Sequence, residues 1–382
     1  MSFDLDAMKR SLIEVWAGPY GGSDICLHGG EFTLCKRNDI KEMMEFIYGF
    51  KGVANIVTNG SLIDNELIEM FRKYSVHIGI SCDGPPELNV LRGPNPLDKK
   101  ATKEYNASLN DTIIRLREEN LPVSIMCILH TKNAGTQKRI DKLKKWMKWL
   151  ADLGITGGRF NLMYGGNKQE LTPRQATHVW LELYEENKRL GLGWNPFKEM
   201  RGNLMGEKVS PCQFTQCNIF NTKTLSILPD GSIGNCDRTF SEGIYIRSYD
   251  NAKSGRYDAL YQNQCRNCKY WKVCGGACPM EGEGGDWRNP TRFCDSIYEL
   301  YSRIERDLRR EGTTAMTDIA PPQPLGDSPH GDSGHGDVSH GDSNHGDAGH
   351  GDANHGDIPH GDSSHADAPD WRMNMEKLEW EQ

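Results

Sequence analysis

"DNELIEMFRKYSVHIGISCDG", residues 64–84, opens on helically spaced apolar residues and ends on a β-rich run. The same order extends in both directions. Upstream, LDAMKRSLIEVW leads to SDICLHG, and NDIKEMMEFIYGF leads to VANIVTNG. Downstream, NASLNDTIIRLREEN leads to LPVSIMCILH, and KRIDKLKKWMKWLADLG leads to GGRFNLMYG, with TPRQATHVWLELYEENKRL closing the series. Five strands, each preceded by a helix, imply an α/β fold of parallel strands with right-handed crossovers. Such units build a barrel or an open sheet, and in both the chemistry gathers at the C-terminal ends of the strands. The series starts on a helix, so a first strand and the loop after it are missing from the pattern.

Bulk properties narrow the classes. A chain of 382 residues is long enough for two or three domains. There is no run of about 18 apolar residues, which argues against a transmembrane helix. The charged start MSFDLDAMKRSLIEVW has no apolar signal-peptide core, so the chain is expected to be cytoplasmic. The net charge of −8 belongs to the tail: residues 312–370 hold eleven Asp and no Glu, Lys or Arg, which leaves +3 for the rest. A near-neutral body gives no charge argument for nucleic acid.

Residues 206–311 change character, being richer in Cys, Gly, Pro and Trp, with short strands around the turn ILPDGSIGNC and a closing helix at YELYSRIERDLRREG. Eight of the twelve cysteines lie there: Cys212, Cys217, Cys236, Cys265, Cys268, Cys274, Cys278 and Cys294. Thiolates this dense repel one another unless a metal or cluster takes them, and eight is twice the four that a tetrahedral zinc or a 4Fe–4S cluster needs. Structural zinc and iron–sulfur clusters both satisfy that count. Of the other cysteines, Cys26 and Cys127 lie within apolar strand runs and are expected in the core.

The order Cys217-x13-Gly231-x4-Cys236, then Cys265-x2-Cys268-x5-Cys274-x3-Cys278-x15-Cys294, resembles the SPASM domain of radical S-adenosylmethionine (SAM) enzymes, with Cys212 as the eighth ligand of the anaerobic sulfatase-maturing members. The resemblance implies two auxiliary 4Fe–4S clusters, one on Cys212, Cys217, Cys236 and Cys278 and the other on Cys265, Cys268, Cys274 and Cys294. The first half agrees. His28-Gly29-Gly30-Glu31-Phe32 resembles the family's "GGEP" motif, with Phe32 in place of Pro, followed by VTNGSLID and GISCDGPPEL at the next two strand ends. By this resemblance Gly29, Gly30 and Glu31 bind the amino group of SAM, Ser81 contacts it, and the fold is a partial (β/α)6 barrel over residues 1–205 followed by SPASM over 206–311.

A three-cysteine CxxxCxxC loop, which carries the family's radical cluster, does not occur in these residues. The absent loop and the absent first strand fall in the same place, so a radical 4Fe–4S cluster is expected only in a full-length form, and the chain as written is expected not to cleave SAM. In a complete enzyme, the resemblance implies a 5′-deoxyadenosyl radical that takes a hydrogen atom from a peptide or protein side chain. Flavodoxin or ferredoxin is the implied kind of electron donor, and Asp237, next to Cys236, the implied catalytic proton acceptor. The alternative for Asp237 is a local pair with Arg238 or a turn cap.

From residue 312 the chain is low in complexity, with H-G-D-x-x repeating from His330 to His365 and a short amphipathic end at 371–382. The 312–370 composition predicts disorder. Eight evenly spaced imidazoles with interleaved Asp suit nickel, zinc or copper, an acidic linker explains them equally well, and a substrate presented in cis is a third reading. Two function classes therefore stand: a radical SAM/SPASM peptide-modifying enzyme of the maturase type, and a non-catalytic iron–sulfur or zinc peptide-binding protein with a metal-holding tail.

Overall fold

A computed structural model describes residues 3–18, 21–93, 98–207, 225–234, 236, 238, 256 and 258–318. All five expected strands form: β1 (Cys26–Leu27), β2 (Asn55–Thr58), β3 (His77–Ser81), β4 (Val123–Leu129) and β5 (Gly158–Leu162). They pair in parallel in the order β1-β2-β3-β4-β5, so each new strand is added on the same side. A doubly wound sheet reverses that order at a switch point. The sequential order is that of a barrel segment, which decides between the barrel and the open sheet that the strand pattern allowed, in favour of the partial barrel that the resemblance implies.

The helices α1 (Leu5–Ala17), α2 (Arg37–Lys51), α3 (Asn65–Lys73), α4 (Lys99–Glu118), α5 (Thr131–Ala134), α6 (Gln137–Asp152) and α7 (Pro173–Arg189) form where the apolar spacing is helical, apart from the single-turn α5. Polar caps start them. Asp64 accepts from the Leu67 N–H at 2.9 Å, and Asp98 accepts from those of Lys100 and Ala101. Thr172 and Gln175 cap α7 reciprocally, ahead of Pro173 in its first turn. An eighth helix, α8 (Phe197–Leu204), was not legible in the apolar pattern. Along β4, Val123, Ile125, Cys127 and Leu129 are buried, while Ser124, Met126 and Ile128 point to the other face and are half-buried. Phe160, Trp180, Trp194 and Phe197 complete the core under β5 and α7.

Cys127 is buried as expected, but Cys26 is exposed. That corrects the core reading. β1 pairs with one neighbour over two residues, and an edge strand this short leaves its apolar run uncovered.

The turn read from ILPDGSIGNC is an antiparallel pair, β6 (Ser226–Ile227) with β7 (Ile233–Gly234). Asp230 accepts from the Ser232 N–H and hydroxyl at 2.9 and 2.6 Å. Helix α1 lies against this hairpin: the Asp4 N–H donates to the Pro229 carbonyl at 2.7 Å, and the Ser11 hydroxyl to that of Gly231 at 2.5 Å. Gly231 has φ +82°, and a Cβ there would stand 2.7 Å from the Ala7 Cβ and 2.9 Å from its carbonyl carbon. Gly231→Ala is therefore expected to destabilise the protein by about 1–3 kcal/mol, from strained backbone and the collision with α1. Urea unfolding checks this, and an unchanged midpoint would contradict it.

Candidate functional site

Parallel strands place all their C-terminal ends on one edge of the sheet, and the residues there form the candidate site. After β1, Gly29 and Gly30 take φ values of +102° and +51°, turning the chain back along the edge. Glu31 then reaches across to β2. Its Oε1 accepts from the hydroxyls of Thr58 and Thr33, both at 2.6 Å, and from the Thr33 N–H at 3.2 Å. Its Oε2 accepts from the Asn59 N–H at 2.7 Å. Both carboxylate oxygens are thus engaged in the fold, and Glu31 holds the Gly29–Gly30 loop against the end of β2. Tyr105 of α4 donates to the Asn59 carbonyl at 2.8 Å, and burial pushes its phenol up to about 12. Ser81 ends β3 next to this group and is half-buried.

Behind Ser81 lies an ionic group that sequence reasoning missed. Asp83 is buried, accepts from the Ile128 N–H at 2.7 Å and pairs with Arg92 Nε at 2.8 Å. Its own N–H donates to Asn89 Oδ1 at 2.8 Å, and its carbonyl accepts from Asn133 Nδ2 at 2.9 Å. His130, fully buried at the end of β4, accepts the Lys132 N–H on Nδ1 at 3.1 Å, which leaves Nε2 as its protonated nitrogen, 3.8 Å from Asp83 Oδ2. The signal was present as an Asp-Gly-Pro-Pro run and a His closing an apolar strand, yet only the fold brings the two together.

The second set of cysteines converges. Cys265 ends the helical turn Tyr261–Cys265, Cys268 lies in the loop after it, Cys274 ends the short helix Trp271–Cys274, and Cys294 opens the helix Cys294–Arg310. Burial pushes the Cys274 thiol up to about 12, with Cys294, Cys268 and Cys265 each near enough to add to the shift. Burial likewise raises Cys265 to about 11, helped by Cys294 and Cys268. Thiols that suppress one another's ionisation in this way become thiolates readily once a cation neutralises them. Among the described residues no three Cys, His, Asp or Glu side chains close to the spacing of one ion's ligands. Four thiols of one segment are the donor number that a 4Fe–4S cluster requires.

Of the first set, Cys278 is buried and Cys236 half-buried, while Cys212, Cys217 and the expected catalytic Asp237 lie outside the described residues, as does the histidine repeat. The two described segments meet through Arg238. Its guanidinium donates to Glu281 Oε1 at 3.0 Å, approaches Cys278 Sγ at 3.8 Å and lies 3.8 Å above the ring of Tyr164, just past β5. Thus Arg238 pairs with Glu281 across the loop.

No family model matches the chain. A cysteine-type anaerobic sulfatase-maturating enzyme of Clostridium novyi is 22% identical over 307 residues, 72% of this chain and 78% of that protein. A serine-type enzyme of Bacteroides thetaiotaomicron is 22% identical over 317 residues, 72% and 74% of the two chains. Both of these relatives are anaerobic sulfatase-maturating enzymes. Among solved structures, native anSMEcpe with bound AdoMet and Kp18Cys peptide superposes with a TM-score of 0.61 at 19% identity, over 80% of this chain and 90% of that one. SuiB of Streptococcus suis gives 0.52 at 14% identity, over 75% and 69%. These likenesses confirm the fold, and the relatives support the reading of an enzyme by resemblance, of the radical SAM maturase kind.

The loop that carries Cys265–Cys274 is fastened to the closing helix by Glu305, which accepts from Tyr270 Oη at 2.6 Å, Lys269 Nζ at 2.7 Å, Arg309 at 2.9 Å and Thr317 Oγ1 at 2.8 Å. Burial alone would raise the Glu305 pKa, but these donors outweigh it and bring it down to about 2. A carboxylate depressed in the folded state contributes stability that is complete above its unfolded pKa and lost as pH falls through the folded one. Between about pH 4.5 and pH 2, stability is expected to fall more steeply in the wild type than in Glu305→Gln, measured by urea unfolding at a series of pH values. Parallel curves would contradict this.

Proposed function

We propose that the chain is the frame of a radical SAM/SPASM maturase, with SAM held at the strand ends of a partial barrel (residues 1–205) and two auxiliary 4Fe–4S clusters in the 206–311 segment. The observation that carries the reading is the gathering of Cys265, Cys268, Cys274 and Cys294 around one short loop and helix, where burial, and after it the neighbouring thiols, raises Cys265, Cys274 and Cys294. In this reading, exposed backbone of the Gly29–Gly30 loop, positioned by Glu31, takes the amino group of SAM, and Ser81 contacts it from β3. Cys212, Cys217, Cys236 and Cys278 hold the other cluster. The substrate is a side chain of a peptide or protein, and a flavodoxin- or ferredoxin-type protein supplies electrons. In a form that also carried the radical cluster, SAM would supply the chemistry of hydrogen-atom abstraction from that side chain. Asp237 would accept the proton that the side chain then gives up, and an auxiliary cluster the electron that leaves with it.

No CxxxCxxC stands among the 382 residues, so what is proposed for this chain as given is binding, not turnover. Among the described residues no helix is long and apolar enough to cross a membrane, and a cytoplasmic location remains part of the proposal. The His330–His365 repeat is proposed to hold a transition metal through imidazole and Asp ligands.

Equilibrium dialysis of the anaerobically prepared chain against labelled SAM tests the reading. Saturable binding is expected, weakened about tenfold, or about 1.4 kcal/mol, by Ser81→Ala and by Gly30→Val. Wild-type protein that binds no SAM would overturn it.

A further inference from the structure

Arg238 joins the barrel to the cysteine-rich segment. The Tyr164 ring beneath its guanidinium lies two residues past β5, and Glu281, its ion-pair partner, has only 1% of its side chain exposed. Arg238 itself is 17% exposed, and its Nη1 stands 3.8 Å from the sulfur of Cys278. Its charge is therefore spent in a largely dry environment, beside a thiol and a carboxylate, with an aromatic face fixing its plane.

We infer that Arg238 is a positioning residue that raises the reduction potential of the auxiliary cluster held by Cys278, with Glu281 lowering it in opposition. The inference rests on the proposal that Cys278 is a cluster ligand. A reduced cluster carries one more negative charge, part of it delocalised from iron onto its thiolates. A guanidinium N–H directed at a ligand sulfur stabilises that added charge, and hydrogen bonds to sulfur and local charge are what set cluster potentials. Low local dielectric enlarges the effect. Arginine stays cationic in both redox states, so no proton accompanies the electron. The carboxylate of Glu281 repels the same electron, and by holding Nη1 it also decides how squarely the guanidinium faces the sulfur. The contact on Tyr164, two residues past β5, ties this arrangement to the barrel.

The test uses the full chain, reconstituted anaerobically. Iron and sulfide are counted first, and the potentials are then titrated electrochemically with EPR detection. Arg238→Gln is expected to keep the wild-type iron content and to lower the potential of one cluster, making its reduction about tenfold less favourable, or about 59 mV for one electron. Glu281→Gln is expected to move the same cluster the opposite way, and Arg238→Lys to fall between Arg238→Gln and wild type, since it keeps the charge but loses the planar fork. A role in packing alone does not predict opposite signs. The inference is overturned if iron-replete Arg238→Gln and Glu281→Gln leave both potentials unchanged or shift them in one direction. If Arg238→Gln loses iron, the sign found for Glu281→Gln decides. Wild-type protein that takes up no iron would instead remove the cluster assignment itself, and this inference with it.

Discussion

Two buried carboxylates on one helix hold the two halves of the protein in register. Glu305 and Asp307 stand two residues apart on the helix Cys294–Arg310, and residues at that spacing do not face the same side. Glu305 turns to the cysteine loop, through Lys269 and Tyr270. Asp307 turns to α7, accepting from Tyr184 Oη at 3.0 Å and Lys188 Nζ at 2.7 Å. A buried carboxylate is costly unless it is paired and hydrogen-bonded, so each anion is stable only while its own partner segment stays docked. Because Cys294 begins this helix, the same two anchors fix where its sulfur stands relative to Cys265, Cys268 and Cys274. Ring stacking of Tyr270 on Tyr301 at 5.4 Å, and the hydrogen bonds of Tyr301 and Asn203 to the Val273 carbonyl, stiffen the same joint.

The barrel contributes the other half of the geometry. Parallel pairing gathers the Gly29–Gly30 loop, Thr58, Ser81, His130 and Tyr164 on one edge, and Glu31 and Asp83 bind that edge together from within. Arg238 then connects Tyr164 at this edge to Cys278. The chemistry proposed for the chain needs both the strand-end edge and the sulfur ligands, and the Arg238 contacts link the two.

Much of this was legible locally. Helix-then-strand units announced themselves because each strand is a short apolar, β-branched run and each helix has an apolar stripe with a polar cap, as at Asp64 and Thr172. The Gly231 turn and the close spacing of Cys265, Cys268 and Cys274 are likewise local features. What sequence could not show depends on distant partners. Glu31 reads as a ligand-binding carboxylate, while the fold uses both its oxygens to join β1 to β2. The Asp83–Arg92–His130 group draws on three separate segments. Cys26 reads as core from its apolar neighbours, and its exposure follows from the edge position of a two-residue strand, which no local pattern specifies.

The central claim is that eight cysteine sulfurs in one segment are cluster ligands beside a SAM-holding barrel. The most direct measurement is the iron and acid-labile sulfide content of the anaerobically reconstituted chain, with its visible spectrum. The account predicts a brown protein with about eight irons and about eight sulfides per chain, as two 4Fe–4S clusters require. A colourless, iron-poor protein, or one saturated by one or two zinc ions, would contradict it.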